Sequence, residues 1–177
     1  MRYLIISDIH GSCKYLKMVL EEVKVYDKLI ILGDILYHGP RNDLPDEYAP
    51  REVIDILNGL KNKIIAVRGN CDAKVDLSLL EFEISDYNWL EVNTNRVFLT
   101  HGDDYNESNL IDSDSRYTMI HGHSHINKVS SFNNVKVINV GSLSLPKDGH
   151  YTYALLQNNV IEIHDIVKKE KLYEEIL

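Results

Sequence analysis

The chain has 177 residues, 44% of them hydrophobic and 26% charged, the balance of an ordinary globular protein long enough to bury a substantial core. Its net charge is −8, with a pI near 5.4, so the surface as a whole repels nucleic acid and acidic membranes. No apolar run approaches the ~20 residues of a membrane span, and Cys13 and Cys71 form neither a disulfide framework nor a CxxC motif.

The opening "MRYLIISDIHG" has a basic residue and a short apolar stretch. It runs straight into Asp8 and His10 without a small-residue cleavage site, so a cytoplasmic protein is expected. "RYLIIS" (2–7) reads as a buried parallel strand. Leu16, Val19, Leu20 and Val23 then follow one helical stripe. "KLIIL" (28–32) is a second strand, Pro50 opens a helix carrying Val53, Ile54, Leu57 and Leu60, and "KIIAV" (63–67) is a third strand. This βαβαβ order predicts a parallel sheet with right-handed crossovers. The second half is strand-rich: "RVFLT" (96–100), "YTMI" (117–120), "VKVINV" (135–140), "YTYALLQ" (151–157) and "VIEIHDIV" (160–167), with turns such as "FNNV" and "QNNV". The tail "KKEKLYEEIL" suits a last strand or a short helix. With no linker, repeat or low-complexity tract, one domain of residues 1–177 with two packed sheets is expected.

Polar clusters follow five of these strands: Asp8–Gly11, Gly33-Asp34 with His38-Gly39, Gly69–Asp72, His101–Asp103, and "IHGHSH" at 120–125. Carboxyl ends of strands are where α/β sites assemble. If the last stretch is extended, His121, His123 and His125 share one face; the plain alternative is a polar turn in water. Carboxylate, amide oxygen and imidazole together suit Mn, Fe, Zn, Ni or Co better than Ca or Mg. Seven such side chains exceed one tetrahedral ion and suit two ions sharing a carboxylate.

"DIHG", "GD…HG", "GNCD", "THG" and "GHSH" resemble the calcineurin-like metallophosphoesterase pattern DxH…GD…GN…H…GHxH, and "GDILYHGPRN" and "VRGNCD" are similar to its small bacterial phosphodiesterases of the YfcE type. The resemblance runs from "SDIHG" to "NVGSLSLPK". It implies an α/β fold, a four-layer αββα sandwich of two mixed sheets flanked by helices. It also implies a first ion on Asp8, His10 and His125, a second on Asn70, His101 and His123, and Asp34 bridging; His121 has no counterpart. The implied enzyme is a phosphoric diester hydrolase using two divalent metal ions, manganese first, with in-line attack by a hydroxide held between them. With two dications against Asp8, Asp34 and that hydroxide, the site keeps about one net positive charge inside a chain of −8. That local field is what draws an anionic ester to an acidic protein.

His38 occupies the offset from Asp34 at which related protein phosphatases carry a phosphate-binding arginine, so it is a candidate phosphoryl contact; the alternative is a turn histidine beside Gly39. Cys71 stands where many relatives have histidine. A thiol is the poorer proton donor, which predicts a preference for good leaving groups; simple packing is the competing role. Asp72 is expected to cap the following helix rather than orient residue 71. Arg41 and Asn42 lie in a long loop that is either substrate-binding or ordinary surface. Arg68 is expected to pair with surface acids, and Asp103 and Asp104 to be solvated. His150 and His164 should be structural or exposed, Cys13 should be a packing residue, and Ser142 and Ser144 lack a triad. A phosphomonoesterase or nucleotide phosphatase is the alternative on the same site, and a non-catalytic protein-binding scaffold is a weaker one. The expected partner is a small phosphate ester, without bulk nucleic acid or membrane; a homo-oligomer is compatible with the sequence.

Overall fold

Short apolar runs make the central strands, because alternate residues of each must bury on opposite faces. The computed structural model describes residues 1–113 and 115–177. The chain runs through β1 (Arg2–Ile6), α1 (Cys13–Glu22), β2 (Lys28–Ile31), α2 (Pro50–Gly59), β3 (Ile64–Val67), α3 (Lys74–Leu77) and β4 (Ile84–Ser85). The strand-rich half follows as β5 (Asn88–Val92), β6 (Asn95–Leu99), β7 (Tyr117–His121), β8 (Asn127–Phe132), β9 (Val135–Val140), β10 (Thr152–Gln157), β11 (Val160–Asp165) and β12 (Glu170–Ile176). One mixed sheet has the order β12-β11-β10-β1-β2-β3-β4 and the other β5-β6-β7-β9-β8. The expected parallel βαβαβ unit is present as β1, β2 and β3.

In β1, Leu4 and Ile6 face α1 and α2, while Tyr3 and Ile5 face the second sheet. That sheet answers with Val97, Leu99, Ile120, Ile138 and Val140, so the two sheets close on one apolar core. The alternate residues Phe98, Met119 and Val137 form its outer face. There the layer differs from the helices expected: Trp89 of β5 and Tyr105, Leu110 and Ile111 of the segment between β6 and β7 cover the face, and no helix does so among the described residues. The tail is a strand, β12, paired antiparallel with β11 from Val160↔Ile176 to Asp165↔Glu170.

The carboxyl ends of β1, β2, β3, β6 and β7 converge at one rim, stitched across strands by backbone bonds from Asp8 N to Gly33 O at 3.1 Å and from Gly122 N to His101 O at 2.9 Å. Gly122 is the seam between the sheets. A Cβ there would collide with the Ser7 hydroxyl and the Asp8 carboxylate. No helix among the described residues is long and apolar enough to cross a membrane.

Candidate metal centre

Five of the seven expected ligands sit in left-handed backbone: Asp8 (φ 55°), His10 (47°), Asp34 (52°), His123 (67°) and His125 (60°). For an L-residue this conformation costs about 1–3 kcal/mol and persists where the surroundings enforce it, often at functional sites. The same finding corrects the extended reading of "IHGHSH". β7 ends at His121, and the chain turns at His123 and again at His125, so the three histidines share no strand face.

The rings nevertheless sort themselves. His125 Nε2 lies 3.2 Å from Asp8 Oδ1 and 3.2 Å from His10 Nε2, which is itself 3.6 Å from Asp8 Oδ1. A second group forms beside it, with His101 Nε2 3.1 Å from Asn70 Oδ1 and 3.2 Å from His123 Nδ1. Asp34 Oδ2 stands between the groups, 3.6 Å from His10 Nε2 and 3.5 Å from His101 Nε2. The structure thus brings all seven residues together at one site. The first group is buried; Asn70 is exposed and His123 half-buried, so the second opens to solvent.

Whether this donor set fits cations is decided by the nitrogens and oxygens that face each other. His10 Nδ1 is 2.7 Å from Tyr37 O, His101 Nδ1 2.7 Å from Leu32 O, and His125 Nδ1 2.6 Å from Leu145 O. A carbonyl can only accept, so each Nδ1 carries a proton, and each ring in its neutral form presents an Nε2 lone pair inward. Asp8 Oδ1, which the same rings surround, is buried without a hydrogen-bond partner. Lone pairs converging on an orphaned carboxylate oxygen repel unless positive charge lies among them. Protons show the same demand. Burial opposes charge on His101, yet the Asp34 and Asp8 carboxylates push its imidazole up to about 10. Burial likewise raises Asp8, but His10 and His125 outweigh it and hold the carboxyl well below its usual range. The set fits divalent cations.

Several residues act on the cluster from behind. Asp8 Oδ2 accepts the Ser7 hydroxyl at 2.6 Å and the His123 N–H at 3.0 Å; Asp34 Oδ1 accepts the Cys71 N–H at 2.8 Å. Asp72 is not the helix cap expected: α3 has Ala73 at its N-cap, without a side-chain bond. Its buried carboxylate accepts the N–H groups of Asp34, Ile35 and Gly69, each at 2.8 Å. Ser142 and Ser144 donate to the Asp8 carbonyl at 3.0 and 3.1 Å and are braces, not nucleophiles. Only their place after β9 hinted at this.

A cavity of about 980 Å³ opens over Asp34, Asn70 and His123, with Tyr37, Arg41, Asn42, Cys71, Ile126 and Lys147 in its wall. Burial, followed by the Asp34 carboxylate, pushes the Cys71 thiol up to about 12, so it is neutral at ordinary pH. His38 is not in that wall. Its ring lies edge-on to Tyr37 and Tyr48, with centroids 4.7 and 5.4 Å away. His121 is buried, with Nε2 3.5 Å from the Glu107 carboxylate. Arg68 pairs with Asp86 at 3.0 Å, Asp103 and Asp104 are exposed, His150 pairs with Asp165, and His164 with Glu162. Cys13 is buried in the core.

Residues 1–159 match the family described as the calcineurin-like phosphoesterase superfamily domain. The chain belongs to this superfamily. Phosphodiesterase YfcE of Escherichia coli K12 is 40% identical over 168 residues, covering 92% of this chain and 91% of that protein. This superfamily member superimposes on the solved structure of E. coli YfcE, described as a phosphoesterase, with a TM-score of 0.94 over 99% of both chains at 37% identity. It shares its fold with vacuolar protein sorting 29 from Cryptosporidium parvum, with a TM-score of 0.64 at 16% identity over 99% of this chain and 98% of the other.

Proposed function

We propose that the chain hydrolyses small phosphodiesters with two divalent cations, one on Asp8, His10 and His125, the other on Asn70, His101 and His123, with Asp34 shared. The observation that carries this reading is the position of Asp34 Oδ2, nearly equidistant from an inward-facing nitrogen of each group. When bound, such cations polarise a phosphoryl oxygen and make water nucleophilic near neutral pH. The mixed oxygen and imidazole donors favour manganese, with Zn, Fe, Ni or Co as alternatives.

This chain's residues prepare the site for that chemistry. Carbonyl-bound Nδ1–H groups fix the tautomers of His10, His101 and His125. Asp72 and the Cys71 N–H hold Asp34 with Oδ2 inward. The ester approaches from the cavity side, where Asn70 and His123 are accessible. Cys71 stands beside that approach as a neutral thiol, a weak proton donor to a leaving alkoxide. His38 supports the wall through Tyr37. A diester is preferred over a monoester because the closely similar YfcE is named a phosphodiesterase.

The test compares a nitrophenyl diester with the matching monoester, using protein loaded with manganese or treated with a chelator. Faster diester turnover that the chelator abolishes is expected. Faster monoester turnover would make the chain a phosphomonoesterase, and no turnover with metal bound would leave a scaffold.

A further inference from the structure

Two cationic side chains in the cavity wall have no part in holding metal. Arg41 follows Gly39-Pro40 in the loop after β2, and Lys147 follows Pro146 in the segment after β9. Both are exposed, and neither forms an ion pair among the described residues, although lysines and arginines elsewhere, such as Lys14, Lys17 and Arg68, do. Their backbones are fixed. Asn42 Nδ2 donates to His38 O at 2.7 Å, closing the turn that carries Arg41. Gly39, in left-handed backbone (φ 83°), packs that turn against the neighbouring wall, where a Cβ would stand 3.1 Å from Cys71 Sγ. Lys147 N donates to His125 O at 2.9 Å, tying the second cation to a residue of the buried group. The two side chains thus stand on separate loops of one cavity.

Charge decides what such a cavity takes. A simple phosphodiester carries one negative charge, which the expected metal centre already balances. Arg41 and Lys147 add two positive charges to a wall whose one carboxylate besides Asp34, among the described residues, is Asp72, leaving a positive surplus in a protein of net −8. We infer that the substrate is a phosphodiester bearing a second anionic group, a phosphate or carboxylate on one ester arm, which Arg41 and Lys147 recognise. This rests on the phosphodiesterase reading and deepens it. Arg41 offers a planar fork that binds either oxyanion in two-point fashion; Lys147 is a point charge. Tyr37 and Ile126, large side chains of the same wall that are 38% and 44% exposed, give the connecting arm apolar surface to cross.

The experiment measures kcat and KM with manganese for three diesters of one nitrophenol, whose other arm ends in a methyl, a carboxylate or a phosphate. The wild type should prefer the anionic arms by roughly ten-fold or more in kcat/KM, expressed in KM and reduced by added salt. In Arg41→Gln and Lys147→Gln the ratio of anionic to methyl substrate should fall towards one, while Arg41→Lys keeps part of it. Thermal unfolding of each variant checks that the fold is unchanged. A wild-type ratio near one, or a ratio that both Gln variants retain, overturns the inference and leaves the phosphodiesterase reading standing. No turnover of any of the three by metal-loaded wild type would instead sink that reading. A preference for only one anionic arm identifies the group as phosphate or carboxylate.

Discussion

The carboxylate of Asp72 accepts the backbone N–H of Asp34 at 2.8 Å, across 38 residues of sequence, and fixes the loop that presents the shared ligand. The same carboxylate accepts the N–H of Ile35 and of Gly69, so it ties the end of β2 to the end of β3. Asp72→Asn keeps the shape but turns an NH2 group towards at least one of these donors. Burial of the unmatched donors should destabilise the fold by about 1–3 kcal/mol in urea unfolding. The affinity for manganese should fall in parallel, because Asp34 loses its backing. Unchanged metal affinity would show that Asp34 is placed without Asp72.

Gly122→Ala tests the seam between the sheets. Its Cβ would press on Ser7 Oγ and the Asp8 carboxylate, neither of which has room to retreat. Metal content after purification should drop below that of the wild type, with a reduced melting temperature. Full metal occupancy in the variant would contradict the tight approach of the two loops.

Removing cations should weaken the fold itself, since Asp8 Oδ1 and the facing imidazoles then have only protons to hold them together. A ligand held only by the folded state stabilises it by about 2.7 kcal/mol at a hundred times its dissociation constant. Chelation should therefore lower the midpoint of thermal unfolding, and manganese restore it more effectively than calcium. Equal midpoints with and without chelator would mean that the site is not a metal centre.

Leaving-group dependence probes Cys71. Its thiol, pushed up to about 12, releases its proton reluctantly, so rates should fall steeply as the leaving alcohol becomes more basic. Cys71→His should flatten that dependence by raising rates on poor leaving groups relative to good ones. An unchanged slope would assign Cys71 to packing.

Much of this was legible in the sequence because it depends on local chemistry. The apolar runs 2–7, 28–32 and 63–67 could bury only as central strands, and ligand types recurring after strands marked the rim. β5 and β8 were less legible. "NKVSSF" packs mainly through Val129, and "NWLEV" is broken by Glu91 although Trp89 and Leu90 bury on opposite faces, so no apolar run announces either strand. Left-handed backbone at Asp8, His10, Asp34, His123 and His125 leaves no mark, because these turns are enforced by tertiary contacts and not by glycine. Asp72 looked like a helix cap because three backbone donors at distant positions have no signature in neighbouring residues. The loop cover on the second sheet, through Tyr105, Leu110 and Ile111, was hidden for the same reason.

Anomalous diffraction from crystals grown with manganese would bear most directly on the shared role of Asp34. Two peaks roughly 3.5–4 Å apart are expected, one against Asp8, His10 and His125, the other against Asn70, His101 and His123, with Asp34 touching both. A lone peak, or two that lack Asp34 in common, would contradict the account.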